Sequence, residues 1–137
     1  MAGVLVNSGE DRMLGLLVNK TTTGYDKDNL VLRLFKSDTT PGETHTSTDY
    51  TQADFTGYSA VTLTNADWTL TPGAPSNATA LQKTFTVSSA TSQSIYGYYL
   101  TTAATSGLVA AERFSDGPYV VTNVNDAVKV TSVITQD

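Results

Sequence analysis

The 137-residue chain contains no cysteine and carries a formal net charge of −5. This length suits one domain with a sizeable core, and the lack of cysteine excludes a disulfide framework and thiolate metal sites. The acidic balance disfavours nucleic-acid binding, which normally needs a basic surface. No apolar run approaches the roughly 20 residues of a membrane helix, and the segment 1–12 lacks the basic start of a signal peptide. We therefore expect neither a nucleic acid nor a membrane among the partners.

The N-terminal segment predicts a short edge strand followed by a helix. Residues 4–6 form an apolar run that can pair at a sheet edge. Ser8 and Asp11 fit a capping box, and apolar residues then recur at helical spacing. The sequence predicts one helix over 9–19, which either covers one end of the fold or grips a partner protein. Its apolar face consists of Met13, Leu14, Leu16, Leu17 and Val18.

Short strands separated by polar turns account for the rest of the chain. The segments 72–77 and 115–118 contain Pro and Gly and predict turns. Many short strands without alternating helices predict an all-β fold. We expect an antiparallel, jelly-roll-like β-sandwich with one short N-terminal helix, forming a single domain over 1–137. About eight or nine strands are expected, within 30–37, 59–64, 67–71, 81–88, 94–102, 108–114, 119–122 and 127–135.

Alternation within two strands predicts which side chains are buried. In 30–37 the three leucines share one face, while Arg33 and Phe35 lie on the other, so one face is predicted to be buried. The last strand, 127–135, alternates in the same way. Its predicted core face consists of Val128, Val130, Ser132 and Ile134.

The segment 94–114 predicts a central hairpin. Two apolar strands flank the small-residue loop 103–107, which contains a glycine. Tyr96 and Tyr98 share one face of the first strand, and Gly97 lies on the other. Both faces are apolar or aromatic, so we expect one to meet the core and the other a helix or a second subunit. A glycine between tyrosines indicates either close approach of another backbone or an aromatic ring that covers the gap.

Several aromatic and charged side chains are candidates for an interface. Glu112 and Arg113 are neighbours in a strand and point to opposite faces, so each is predicted to pair across strands or across a subunit boundary. Aromatic residues at the far end of the long unpatterned segment 38–55, and just after it, either anchor this loop within the domain or contact a partner. The candidate interface residues are Tyr50, Phe55, Tyr58, Tyr96, Tyr98, Glu112 and Arg113.

The sequence contains no recognisable catalytic or metal-binding motif. The only histidine, His45, lies in the polar segment 38–55 and is predicted to be a solvated loop residue. There is no nucleophile elbow, phosphate-binding glycine loop or metal-ligand spacing, and 26–29 lacks the residues of a calcium loop. We expect no cofactor and no enzyme activity; an enzyme with two convergent carboxylates is the alternative.

Several groups of residues follow one another in an order seen in small proteins of tailed bacteriophages. They are Leu32-Arg33-Leu34-Phe35, Thr40-Pro41, Asp54-Phe55-Thr56-Gly57-Tyr58, Trp68, Phe85-Thr86, Ile95-Tyr96-Gly97-Tyr98-Tyr99-Leu100 and Ala111-Glu112-Arg113-Phe114. In this order the chain resembles the capsid cement (head decoration) proteins of such phages. The resemblance implies a virion structural protein on the outer surface of the capsid, assembled in the host cytoplasm. It also implies binding to the major capsid protein and a trimer or dimer at local symmetry axes.

Tail and fibre proteins contain similar β domains, and a fold does not determine a function. A tail or fibre module that binds a host receptor or carbohydrate is therefore the alternative. It predicts exposed aromatic residues clustered at a loop tip, with Tyr25, Tyr50 and Tyr58 as candidates.

Overall fold

The fold is described from a computed structural model, which defines residues 3–17, 28–73 and 75–136. Within these ranges the chain forms one α-helix, two short 3₁₀ segments and twelve strands. Helix α1 spans Asn7–Leu17, and the 3₁₀ segments span Ser47–Asp49 and Asn65–Asp67. The strands are β1 (Val4–Leu5), β2 (Leu30–Phe35), β3 (Val61–Leu63), β4 (Trp68–Thr71), β5 (Ser76–Ala80), β6 (Lys83–Thr86), β7 (Gln93–Ile95), β8 (Gly97–Thr102), β9 (Leu108–Arg113), β10 (Tyr119–Val121), β11 (Ala127–Val130) and β12 (Val133–Gln136).

The strands pair antiparallel and form an all-β sandwich, as the sequence predicts. The largest sheet has the order β1-β9-β8-β2-β3, and a second sheet has the order β12-β5-β4. Two strand pairs, β10-β7 and β11-β6, complete the fold in the described residues. The predicted hairpin is confirmed, because β8 pairs with β9 across the loop 103–107 in the middle of the largest sheet.

One face of the five-stranded sheet forms the main core. Leu32 and Leu34 of β2 and Leu100 of β8 point into it, and each is at most 1% exposed. Burial of such a side chain contributes about 1.5–3 kcal/mol. The predicted core face of the last strand is also confirmed, since Val128, Val130 and Ser132 are buried. The smaller sheets supply further core side chains, including Phe85, Ile95 and Val121.

The chain's own long loop covers the opposite face of this sheet. Phe35 and Tyr99 lie on that face, and Tyr50 of the loop packs on both, with ring centroids 5.0 and 5.3 Å away. The sequence predicts a helix or a second subunit over this face, and the structure places Tyr50 there instead. The prediction of one buried face for β2 is therefore incomplete, because Phe35 is fully buried on the second face.

The strand count differs from the expected eight or nine because two predicted strands divide between sheets. The segment 94–102 divides at Tyr96, so that β7 pairs with β10 while β8 pairs with β2 and β9. The segment 127–135 divides in the same way between β11, which pairs with β6, and β12, which pairs with β5. Strand β5 lies in a segment for which the sequence predicts no strand.

Helix α1 begins at Asn7, two residues before the predicted start at 9. Ser8 does not cap it, because the Ser8 hydroxyl donates to the carbonyl oxygen of Leu108 at 2.7 Å. Leu14, predicted on the apolar face, is 59% exposed. The predicted helix end at 18–19 and the turn residues 21–27 lie outside the described residues. No helix in the described ranges is long and apolar enough to cross a membrane.

Candidate docking surface

The β12-β5-β4 sheet contains no charged side chain, and we refer to it as the uncharged sheet. Its strands read WTLT, SNATA and VITQ. Most of these residues are exposed or half-buried, and Leu70 in β4 is 78% exposed. In a chain with a net charge of −5, an exposed sheet without a charge can be covered by another protein without leaving a buried, unpaired ion.

A braced turn positions β4 at the edge of this sheet. The Asp67 carboxylate accepts hydrogen bonds from the backbone N–H of Thr64 at 2.7 Å and from its hydroxyl at 3.0 Å, which closes a capping box over Asn65–Asp67. Its second oxygen pairs with the Lys83 ammonium at 2.6 Å. The Lys83 hydrogen bond, together with the Thr64 N–H, holds the pKa of the Asp67 carboxyl below its usual range. This turn begins β4 in a fixed direction.

The hydrogen-bond register leaves one edge of β4 open. The N–H of Leu81 donates to the carbonyl oxygen of Asp67, so residues 67 and 81 form a hydrogen-bonded antiparallel pair. Such pairs alternate along a ladder, so Thr69 and Thr71 direct their backbone groups toward β5. The backbone N–H and C=O of Leu70 therefore point away from β5, and no described backbone group bonds them.

An open cleft of about 740 Å³ lies between helix α1, the five-stranded sheet and the uncharged sheet. Its lining is mainly apolar. The single tryptophan, Trp68, is half-buried in the cleft, beside the exposed Leu70. The described lining residues are Gly9, Met13, Asp28, Asn29, Leu30, Leu63, Thr64, Asn65, Trp68, Leu70, Ala78, Val109 and Ile134.

Among the described residues of the cleft lining, the only charged side chain is Asp28, which is already engaged. One oxygen of Asp28 accepts a hydrogen bond from the backbone N–H of Ala104 at 2.7 Å. The remaining polar groups come from Asn29, Thr64 and Asn65, which lie beside Trp68 in the lining. The cleft therefore suits an apolar or weakly polar group from another molecule.

Three of the candidate interface residues lie inside the fold. Tyr50, Phe55 and Tyr98 are 5%, 3% and 2% exposed, so their rings pack within the chain. Tyr58 is half-buried: its hydroxyl accepts from the N–H of Leu34, and its ring stacks on Phe85. Their burial favours the alternative in which the aromatic residues after the long loop anchor it to the body.

The other three candidates are half-buried and engaged within the chain. Arg113 forms an ion pair with Asp38 and lies over the ring of Tyr96, 5.1 Å from its centroid. Glu112 accepts a hydrogen bond from the Tyr98 hydroxyl at 2.8 Å. Burial, followed by this hydrogen bond, raises the pKa of Tyr98. Glu112 thus pairs across strands with Tyr98 of β8, one of the two arrangements expected from the sequence, whereas Arg113 pairs with the loop residue Asp38.

His45 is not a fully solvated residue. Its Nδ1 lies 3.1 Å from the hydroxyl of Tyr50, and the two rings meet edge to face. Tyr50 is nearly buried, so His45 is held against the body by the same ring that closes the loop over the sheet. Among the described residues, no three histidine or acidic side chains come together in a group able to hold a metal ion.

The uncharged sheet and the cleft are not among the features predicted from the sequence. One feature could have pointed to them: the stretch 68–82 contains no charged side chain although it includes Trp68 and Leu70. The aromatic residues drew attention to the hairpin instead. The loop-tip site predicted for the carbohydrate-binding alternative is not found in the described residues. Tyr50 and Tyr58 do not form an exposed loop tip, and Tyr25 lies outside the described residues.

Comparison with known proteins gives no family assignment for the chain. No protein-family model matches it, and neither does any curated protein or solved structure. The resemblance to phage head proteins therefore stays a prediction from the residues themselves.

Proposed function

We propose that the protein is a virion structural protein that acts by binding: a cement protein on the outer surface of a phage head, which stabilises the lattice of the major capsid protein. The observation that carries the proposal is the exposed, uncharged sheet beside an open apolar cleft. Such a combination is typical of surfaces that contact another protein. A sandwich with this surface could stabilise a capsid shell by binding alone, without catalysing a reaction.

The physical requirements of a cement protein agree with this surface. The protein must remain folded while it bridges neighbouring shell subunits, and a sandwich with two buried clusters provides a rigid body. It must bury apolar area without trapping unpaired charges, which the uncharged sheet permits. Bound copies stabilise a shell by mass action, and several contacts on one lattice add avidity.

Apart from Asp28, the charged side chains that the structure describes lie outside the cleft lining and the uncharged sheet. Three ion pairs within the described ranges join Lys36 to Asp54, Lys83 to Asp67 and Arg113 to Asp38. Each of these pairs fixes a loop or turn to a strand or to the residue that follows a strand. The contact with a shell subunit is therefore expected to depend mainly on apolar packing in the cleft and to weaken little with added salt.

A matched pair of helix variants tests the cleft as the docking site. Met13 lines the cleft, whereas its neighbour Leu14 is exposed and does not. Met13→Glu places a charge in the cleft, and Leu14→Glu makes the same chemical change outside it; Glu is a good helix former at both positions. Each protein is incubated with undecorated heads and co-sedimented. We expect Met13→Glu to bind about tenfold more weakly or worse, with Leu14→Glu close to the unchanged protein.

Equal binding by both variants would remove the cleft from the proposal. Failure of the unchanged protein to co-sediment with heads would remove the cement function itself. The single tryptophan gives a second readout, because occupation of the cleft should change the fluorescence of Trp68.

A second candidate function is a tail or fibre module that binds a carbohydrate. The observation that favours it is the half-buried Trp68 with Asn29, Thr64 and Asn65 in one cleft, since sugar rings stack on aromatic faces and their hydroxyls bond to amides. Glycan-array binding that is lost in Trp68→Ala would favour this function. A clean null result together with binding to heads would exclude it.

A further inference from the structure

We propose that two copies of this chain pair through the open edges of β4, antiparallel about a two-fold axis at Leu70, so that their two uncharged sheets become one continuous sheet. This contact is between copies and occurs in the absence of a shell. It therefore does not depend on the proposed function, and the two ideas can fail separately.

The backbone of β4 is arranged to accept another strand. The N–H and C=O of Leu70 point away from β5, as the register of the Asp67–Leu81 pair requires. Thr69, Leu70 and Thr71 are all exposed. An exposed edge with unused donors and acceptors is a template for strand pairing.

Natural edge strands are usually protected from such pairing, and no residue within Trp68–Thr71 provides such protection. A lysine, a proline, a bulge or an inward-pointing charge blocks most exposed edges. The strand reads WTLT and has a regular register with β5. At the other edge of the sheet, the N–H of Gly3 donates to the carbonyl oxygen of Val133 at 3.3 Å. That edge is thus partly occupied by the chain itself, and β4 is the open one.

Charge favours a second copy as the occupant of the edge. Two copies with a net charge of −5 repel each other, and this repulsion is weakest when they meet at a surface without charged side chains. The three strands of the uncharged sheet provide this surface, because none of them carries a charged side chain. Pairing of identical strands therefore brings no like charges opposite each other within the sheet.

The geometry also predicts the register and the strength of the pairing between the two β4 strands. With Leu70 opposite the same residue of the second copy, each Leu70 N–H donates to the other Leu70 carbonyl oxygen. The ladder cannot extend far, because the N–H of Trp68 is used by Asn65 and Pro72 has no N–H. A contact this short is weak in free solution. On a lattice that holds two copies side by side, the effective concentration strengthens it.

Analytical ultracentrifugation of the whole chain tests the pairing. The unchanged protein is examined from about 10 µM to about 1 mM, a range that covers weak association. We expect a monomer–dimer equilibrium. Leu70→Pro removes only the outward N–H, a change that an edge strand tolerates, and Leu70→Lys places like charges opposite each other. Both variants are expected to weaken dimerisation about tenfold or more, while Leu81→Lys, at an equally apolar and 59% exposed position, does not.

Cross-linking tests the register in the same protein, because the chain has no cysteine. Leu70→Cys should be joined to the same residue of a second copy by a short bifunctional thiol reagent, and Leu81→Cys should react much less.

A protein that is monomeric over the whole concentration range would overturn the proposal, as would dimers that are equally sensitive to Leu70→Lys and Leu81→Lys. A monomer whose binding to heads is lost in Leu70→Pro would assign the edge to a strand of the shell subunit instead, which also overturns pairing between copies.

Discussion

The α-carbon of Gly97 lies so close to the carbonyl oxygen of Glu112 that a β-carbon at position 97 would overlap it. The same β-carbon would meet the ring of Phe35 at 2.6 Å. Both obstacles are rigid, since one is backbone in the paired strand β9 and the other is a fully buried ring. The close approach predicted at this glycine from its position between tyrosines is confirmed.

Substitution of Gly97 should therefore destabilise the fold strongly. We expect Gly97→Val to lower the free energy of unfolding by about 3 kcal/mol or more, because overpacking forces β8 and β9 apart. Gly107 in the hairpin loop is the control, since a β-carbon there would have its nearest contact at 3.5 Å. Gly107→Ala should stay within about 0.5 kcal/mol of the unchanged protein in urea unfolding. Equal stability of the two variants would contradict the packing described for the hairpin.

Tyr50 distinguishes an internal anchor from an interface residue. Its ring packs on Phe35 and Tyr99 and closes the long loop over the sheet. Tyr50→Ala is expected to lower the free energy of unfolding by about 3–5 kcal/mol in the isolated protein, as for a large buried aromatic residue. Tyr119→Ala, at a 39% exposed ring, should cost only about 1 kcal/mol. If Tyr50→Ala is as stable as the unchanged protein, Tyr50 is not an internal anchor and is again a candidate interface residue.

The ion pair at Asp67 predicts a dependence of stability on pH. The pKa of this carboxyl is lowered in the folded chain, mainly by Lys83, so its contribution is complete above the unfolded pKa of about 3.9 and is lost as the pH falls through the lower folded value. Asp67→Asn should be less stable than the unchanged protein at pH 6. The difference should begin to shrink below about pH 4 and should vanish only below the lowered folded pKa, where both proteins carry an uncharged group at this position.

Urea unfolding at pH 6 and below about pH 4 measures the difference in the free energy of unfolding between Asp67→Asn and the unchanged protein. Glu43→Gln, a change at an exposed loop position, is the control and should leave stability unchanged at either pH. A difference between Asp67→Asn and the unchanged protein that persists undiminished in acid would show that lost packing, and not lost charge, destabilises the turn.

Local pattern was sufficient to predict much of the core. The leucines of β2 alternate into the core as expected, and the face of Val128, Val130 and Ser132 is buried as predicted. These strands have one continuous apolar row, so a period of two reveals their buried face. The β8–β9 hairpin was also predictable from local sequence, because the loop between its strands is short, consists of small residues and contains a glycine.

Elements that depend on distant partners could not be predicted in this way. Strand β5 reads SNATA, whose residues have little intrinsic preference for a strand. It forms because β4 and β12 both pair with it. The divisions at Tyr96 and near Ser132 likewise depend on which partner strands lie alongside, since each long extended segment serves two sheets.

The candidate site was predicted less well than the fold. The sequence predicts aromatic residues at an interface, yet Tyr50 and Tyr98 fill the interior, because burial of a large apolar ring stabilises the fold. The exposed surface is instead recognisable in the sequence by the absence of charged residues around Trp68 and Leu70. Whether such residues face solvent depends on sheet order, which the sequence pattern does not contain.

The thermal stability of undecorated phage heads, measured with and without the added protein, tests the proposed function most directly. Binding to the folded shell must raise its melting temperature if the protein bridges neighbouring subunits. We predict a higher melting temperature that saturates with added protein and falls back with Met13→Glu but not with Leu14→Glu. A melting temperature that is unchanged at every concentration, with no protein sedimenting with the heads, would contradict the cement function.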